Sequence, residues 1–127
     1  MSQKPHVWIS FGLGQNNNER REALELYSRA FGAVKTWEDF ADSENALHLG
    51  MDFYDMNVMI SPGDTPGGAC IHYGDEEELL RAYEILAKDA KSAKIDSYPW
   101  AKTGANVIDK YGVGWWLHTD GKSTEKK

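Results

Sequence analysis

Residues 98–117, YPWAKTGANVIDKYGVGWWL, decide the fold of this chain. Two runs rich in β-branched and aromatic residues flank the tetrapeptide DKYG at residues 109–112. Asp and Gly accept turn dihedral angles and the flanking residues fit a pleated, half-buried surface, so the stretch predicts a closing β-hairpin. By strand alternation, Trp115 faces the core, whereas Trp116 and His118 face the opposite side of the sheet.

Composition limits the class of protein. The 127 residues suffice for one domain with its own core. With 14 basic and 20 acidic residues the net charge is −6, which disfavours nucleic-acid binding. No apolar run is long enough for a membrane span or a signal peptide, so we expect a cytoplasmic protein without a membrane partner. The single cysteine, Cys70, excludes an intrachain disulfide and is expected to be a small buried residue.

Hydrophobic periodicity predicts the same order of elements twice: a strand, a helix and three strands. Apolar residues at helical spacing indicate helices over residues 19–31 and 75–91. Asp75 can cap the second helix, and Glu78 can complete a capping box. Alternating and β-branched runs predict strands at residues 6–11, 34–40, 46–54, 58–61, 69–73, 94–98, 104–108 and 113–118.

The duplicated order predicts a single domain of two modules. We expect module one at residues 5–62, a Pro/Gly-rich linker at 62–68 and module two at 69–118. Residues 119–127 are polar and lack large apolar side chains, so they are expected to form a mobile tail.

Three segments resemble a known superfamily: residues 25–33 (ELYSRAFGA), the strand pair from His48 to Ser61, and residues 107–115 (VIDKYGVGW). They are similar to motifs of the vicinal oxygen chelate superfamily of glyoxalases, bleomycin-resistance proteins and extradiol dioxygenases, and within it to the PhnB-like branch. The resemblance implies an α+β fold in which two βαβββ modules form a curved, mostly antiparallel sheet around a concave pocket. It also implies a homodimer. The demethylubiquinone methyltransferase name used for this branch has no support here, because no Gly-rich nucleotide loop of the Rossmann type is present.

The resemblance also implies where a catalytic metal would bind. Members that use a metal place His or Glu ligands on the first and last strands of each module. In this chain those positions fall near His6, at residues 59–61, at Ala69 or Cys70, and at Trp116. A catalytic metal needs about three protein ligands. Only His6 qualifies, so we expect neither a catalytic metal nor another cofactor.

The residues expected to bind a ligand are those on the concave side of the strands. Alternation places His48 and Asp52 opposite Leu47, Leu49, Met51 and Phe53, and places Trp8 opposite its apolar neighbours. Together with Trp116, His118 and the rim residue Trp100, these would line an aromatic pocket for an aromatic or cationic small molecule. A lone strand histidine is more often structural than functional, so His48 and His118 also have a structural interpretation.

Three alternatives to a metal-independent binding protein stay open. One is a metal-dependent lyase or dioxygenase resembling the glyoxalases, with His6 as a ligand of a divalent metal. Another is an antibiotic-sequestering protein that resembles the bleomycin-resistance group. The last is an interaction module whose sheet edge or pocket serves a protein partner.

Overall fold

The computed structural model describes residues 5–13, 16–41, 43–98 and 101–120. Within these ranges a strand, a helix and three strands occur in order, and the order then repeats. Neither helix in the described ranges has the length and apolar character needed to cross a membrane. The elements are β1 (Ile9–Gly12), α1 (Asn17–Phe31), β2 (Val34–Asp39), β3 (His48–Phe53), β4 (Met56–Ser61), β5 (Gly68–His72), α2 (Glu76–Ala87), β6 (Ser92–Tyr98), β7 (Ala101–Ile108) and β8 (Gly114–His118).

The eight strands form two four-stranded sheets, one from each half of the chain. The first has the order β1-β4-β3-β2 and the second the order β5-β8-β7-β6. In each sheet the first strand runs parallel to the last, and the other pairs are antiparallel. The predicted α+β class and the predicted order of elements are therefore confirmed.

Local signals explain both helices. The side chain of Asn16 accepts a hydrogen bond from the backbone N–H of Glu19 at 2.9 Å, which caps α1. Gly32 ends α1 in the left-handed region, at φ 74°, as its position in the sequence predicted. Asp75 caps α2 by accepting from the N–H of Glu77 at 3.1 Å. Glu78 was predicted to complete a capping box, but its carboxylate contacts the Tyr54 hydroxyl of the other half.

Several predicted boundaries were wrong by a few residues. Helix α2 ends at Ala87 instead of Lys91, and β7 begins at Ala101 instead of Gly104. The turn between β3 and β4 lies at Tyr54 and Asp55, one residue earlier than predicted. These two residues have φ values of 50° and 65°, and such turns usually carry Asn-Gly, so the sequence gives little signal for this one.

Part of the predicted mobile tail is ordered. The N–H of Thr119 donates to the carbonyl oxygen of Thr103 at 3.0 Å, and the N–H of Lys102 donates to that of Asp120 at 2.7 Å. These backbone hydrogen bonds extend the β7-β8 pairing past His118. Residues 121–127 lie outside the described residues.

The two halves share one aromatic core around Trp115. This side chain is buried and belongs to β8, whereas its ring neighbours belong to the first half of the chain. The distances between ring centroids are 4.7 Å to Phe31, 5.4 Å to Tyr27, 5.6 Å to Phe11 and 6.1 Å to Phe53. Helices α1 and α2 also pack against each other. The expectation that Trp115 is a core residue is confirmed.

The buried carboxylate of Asp109 joins the two halves by hydrogen bonds. Its Oδ2 accepts from the Tyr27 hydroxyl of α1 at 2.7 Å and from Trp115 Nε1 at 2.9 Å. Its Oδ1 accepts from the backbone N–H groups of Tyr111 at 2.8 Å and Val113 at 3.1 Å. Four donors therefore satisfy a charge that would otherwise be costly to bury.

Replacing Asp109 by Ala is expected to lower the free energy of unfolding by about 3 kcal/mol or more, because four buried donors lose their acceptor. Tyr27→Phe removes one donor and is expected to cost about 1.5 kcal/mol. Urea denaturation at pH 7 measures both changes, with the exposed Asp64→Asn as a control expected to stay within about 0.5 kcal/mol. An Asp109→Ala protein as stable as this control would contradict the role of the carboxylate.

Burial, and then the charge of Asp109, raise the pKa of Tyr27 well above its ordinary value of 10.0. In the unfolded chain Tyr27 ionises near pH 10, whereas in the folded protein it stays neutral to a higher pH. The contribution of neutral Tyr27 to the free energy of unfolding is therefore complete below about pH 10 and is lost as the pH rises above it. We expect the free energy of unfolding to fall above pH 10, and to fall less steeply in Tyr27→Phe. Equal slopes for the two proteins would contradict this assignment.

Candidate functional site

Each sheet has one face covered by the core and one face open to solvent. In β3, Leu49, Met51 and Phe53 are buried on the side that α1 covers. His48 and Asp52 point to the other side and are half-buried. In β8, Trp115 and Leu117 are likewise buried, and Trp116 and His118 are half-buried on the other side. The alternation predicted from the sequence is thus present in both strands, and we call the two exposed sides face one and face two.

Face one carries an aromatic cluster built over a glycine. A Cβ atom on Gly50 would lie 2.1 Å from Trp37 Nε1, so the indole of Trp37 rests directly on the backbone of β3. The ring of Trp8 lies 5.8 Å from that of Trp37, and the ring of His6 lies 5.7 Å from that of Trp8. Sequence reasoning missed Trp37, because a register shift between Lys35 and Trp37 interrupts the alternation of β2.

A chain of hydrogen bonds holds the polar groups of face one. Asn57 Nδ2 donates to Asp52 Oδ1 at 2.7 Å, and Asn57 Oδ1 lies 2.6 Å from His6 Nε2, which therefore acts as the donor. His48 Nδ1 donates to the carbonyl oxygen of Ala46 at 2.9 Å. In the neutral tautomer this leaves His48 Nε2 as an acceptor on the open face.

Face two repeats the arrangement of an aromatic ring over a glycine. A Cβ atom on Gly104 would lie 2.7 Å from the ring of Trp116 and 2.8 Å from that of Tyr98. The ring of His118 stacks on that of Trp116 at an interplanar angle of 20°, with 5.7 Å between centroids. His72 lies beside His118, with 5.3 Å between the two rings. A surface cavity of about 370 Å³ adjoins this cluster at Trp116 and Asn106.

Cys70 also lies on face two, and it is exposed. The expectation of a buried cysteine was wrong. Cys70 pairs with Trp116 in the register of β5 and β8, so both side chains point to the open side of the sheet. The core covers only the other side of this sheet, so a side chain on the open side of β5 stays exposed, whatever the apolar character of the strand's sequence.

The described chain divides the predicted ligand-binding residues between the two faces. His48, Asp52 and Trp8 belong to face one, whereas Trp116 and His118 belong to face two. No hydrogen bond, ion pair or ring contact in the described ranges links these two sets. Trp100 lies outside the described residues. Because the halves pack through their helices and Trp115, the open faces lie on the far sides of their sheets and do not meet within one chain.

The residues available to a metal are few. Among residues 5–13, 16–41, 43–98 and 101–120, no group of three or more His, Cys, Asp or Glu side chains could hold a metal ion. His6, the ligand named for the metal-dependent alternative, is exposed and bonded to Asn57. His72 Nε2 pairs with Asp120 Oδ1 at 2.7 Å.

Adding a methyl group at either glycine under the rings is expected to displace the aromatic side chain. We expect Gly50→Ala and Gly104→Ala each to lower the free energy of unfolding by about 1–3 kcal/mol and to shift the Trp fluorescence. Gly74→Ala is the matched control, because a Cβ there meets nothing within 4 Å. Variants at Gly50 and Gly104 that behave like this control in denaturation and fluorescence would show that the rings do not need the glycines.

The sequence matches no protein-family model and no curated protein. Solved structures do match. A PhnB protein of Bacillus cereus, named as a 3-demethylubiquinone-9 3-methyltransferase, is 22% identical with a TM-score of 0.71, over 92% of this chain and 99% of that one. The bleomycin resistance determinant of transposon Tn5 is 12% identical with a TM-score of 0.62, over 92% and 98% of the two chains.

A further match is a fosfomycin resistance protein, FosX of Listeria monocytogenes, in complex with Mn(II) and sulfate. It is 12% identical with a TM-score of 0.57, over 100% of this chain and 99% of that one. Structural similarity at sequence identities as low as these shows a shared fold. The chain therefore has the glyoxalase/bleomycin-resistance fold that its resemblance to the vicinal oxygen chelate superfamily implied.

Proposed function

We propose that this protein binds a small aromatic or cationic molecule on its open sheet faces, without a catalytic metal, as a cytoplasmic homodimer. The observation that carries the proposal is that both faces hold tryptophan rings in place over glycines, at Gly50 and Gly104. Solvent-exposed aromatic surface of this kind is typical of ligand sites and interfaces.

The chemistry of the faces supports an aromatic or cationic ligand. Indole faces attract cations by about 0.5–2 kcal/mol and also stack on aromatic rings. On face one, Asp52 lies in the same sheet as Trp37 and is oriented by Asn57. The net charge of −6 further favours the approach of a cation.

Pairing of two chains would bring the divided residues together. One chain keeps the two sets on separate sheets, so a pocket walled by both sets requires a second copy. Large apolar side chains are exposed on the open sides, including Val34 at 63% and Ile108 at 44%. Val34 pairs with Asp52 of face one and Ile108 with Gly114 of face two, so both side chains could be buried by a partner's sheet.

Phenyltrimethylammonium, which is both aromatic and cationic, tests the proposal. We expect saturable quenching of Trp fluorescence, and an affinity reduced about 3- to 30-fold in Trp37→Phe and in Trp116→Phe. Tyr83→Phe on α2 is the control and should bind as the unmodified chain does. tert-Butylbenzene, which has the same shape without the charge, should bind more weakly. If neither Trp substitution changes the affinity for phenyltrimethylammonium, the proposal is wrong.

A measurement of metal content tests the metal-dependent alternative. Untagged protein is analysed by mass spectrometry before and after dialysis against zinc or manganese, with thermal stability recorded in parallel. Near-stoichiometric metal that raises the melting temperature and is lost in His6→Ala would overturn the metal-independent proposal and favour a lyase or dioxygenase. Tight binding of bleomycin would instead favour an antibiotic-sequestering role.

A further inference from the structure

A cleft separates the free edges of the two sheets, on the side of β1 and β4 that faces the core. It has a volume of about 460 Å³, within the range of small-molecule sites. Ile9, Phe11 and Val58 line it from the first half, and Ala69 and Ile71 line it from β5. None of these five residues belongs to face one or face two. Cys70 and His72, which also line the cleft, lie at the margin of face two. The cleft therefore adjoins face two, but most of its apolar lining comes from the core side of β1, β4 and β5.

One end of the cleft is polar. A neighbouring cavity of about 270 Å³ shares Tyr54, Ile71 and His72 with it and adds Asp55, Tyr73 and Glu78. The hydroxyl oxygens of Tyr54 and Tyr73 lie 3.1 Å apart. Both hydroxyl groups are neutral at pH 7, since the ordinary pKa of tyrosine is 10.0 and burial raises the pKa of both further.

The polar end has an excess of negative charge. Asp55 and Glu78 supply two carboxylates, and among the described residues neither forms an ion pair. One guanidinium, that of Arg81, also acts on Tyr54, which leaves a net charge of one negative (two carboxylates against one cation). The exposed ring of Tyr54 adds an aromatic face that attracts cations.

Aromatic contacts, one within the first half and one between the halves, fix the polar end in place. The ring of Tyr54 packs at 5.8 Å from those of Phe31 and Tyr73, with interplanar angles of 63° and 88°. These contacts hold Tyr54 and Asp55 in the left-handed region, which costs free energy for residues other than glycine. The groups that would meet a ligand are thus oriented before binding, which lowers the entropic cost of association.

We propose that this cleft binds an organic cation with an apolar chain, such as an alkylammonium ion. The charged group lies between Asp55, Glu78 and the tyrosine hydroxyls. The apolar chain lies along Ile9, Met56 and Ile71. Apolar side chains along most of the cleft and carboxylates at one end match the two parts of such a molecule.

Methyl NMR with octyltrimethylammonium, below its micelle concentration, tests this site. The methyl groups of Ile9, Met56 and Ile71 are expected to shift with saturation, while that of Ile95, on the edge strand β6, stays unchanged. Octanesulfonate has the same chain with an anionic head and is expected to bind at least about tenfold more weakly, since the head would face the carboxylates. Equal binding of the two probes would overturn the proposal.

Substitutions separate this cleft from the open faces. Glu78→Gln and Asp55→Asn are expected to lower the affinity for octyltrimethylammonium about 3- to 10-fold. Glu77 is an exposed neighbour on α2, and Glu77→Gln is expected to leave the affinity unchanged. Trp37→Phe and Trp116→Phe should also leave it unchanged, so that this site and the face site can fail independently. If the methyl signals of the cleft shift with protein concentration in the absence of any probe, a second copy of the chain fills the cleft. That result would overturn the proposal.

Discussion

The buried carboxylate of Asp109 is the constraint on which the arrangement of the two halves depends. Within the described residues no strand of one sheet pairs with a strand of the other, so the halves are joined by side chains. Asp109 orders its own hairpin through two backbone N–H groups, and it fixes Trp115 and Tyr27 through two side-chain donors. Because Trp115 touches aromatic residues of the first half, the same carboxylate sets how the two sheets are oriented. The open faces follow from that orientation, since the shared core occupies the other side of each sheet.

A second constraint, common to both halves, is the pairing of a glycine with an aromatic ring. Trp37 rests on Gly50 in one sheet, and Trp116 and Tyr98 rest on Gly104 in the other. At both positions a Cβ would lie less than 3 Å from the ring, so the ring can take this place only above a glycine. The two halves therefore share a structural feature as well as an order of elements. In each half this feature keeps aromatic rings on the open face of the sheet, outside the core.

Short-range patterns in the sequence predicted what depends on neighbours along the chain. The alternation of residues 46–54 placed His48 and Asp52 on the open side of β3, and the DKYG turn located the last hairpin. The open face on which Cys70 lies and the irregularity in β2 were not predictable in this way. Cys70 is exposed because its register with Trp116 turns it to the open side of β5. Trp37 was not predicted as a site residue because a register shift breaks the alternation before it. Which sides of the two sheets pack together depends on contacts between residues far apart in sequence, such as Tyr27 and Asp109. Local periodicity carries no information about such contacts.

The separation of the two faces within one chain, and their proposed union in a homodimer, are tested most directly by mixing two defective variants. Trp37→Phe and Trp116→Phe chains are unfolded together, refolded and titrated with phenyltrimethylammonium. If each site combines face one of one copy with face two of the other, about one quarter of the sites in the mixture regain the affinity of the unmodified protein. A mixture that binds only as weakly as the separate variants would contradict the account.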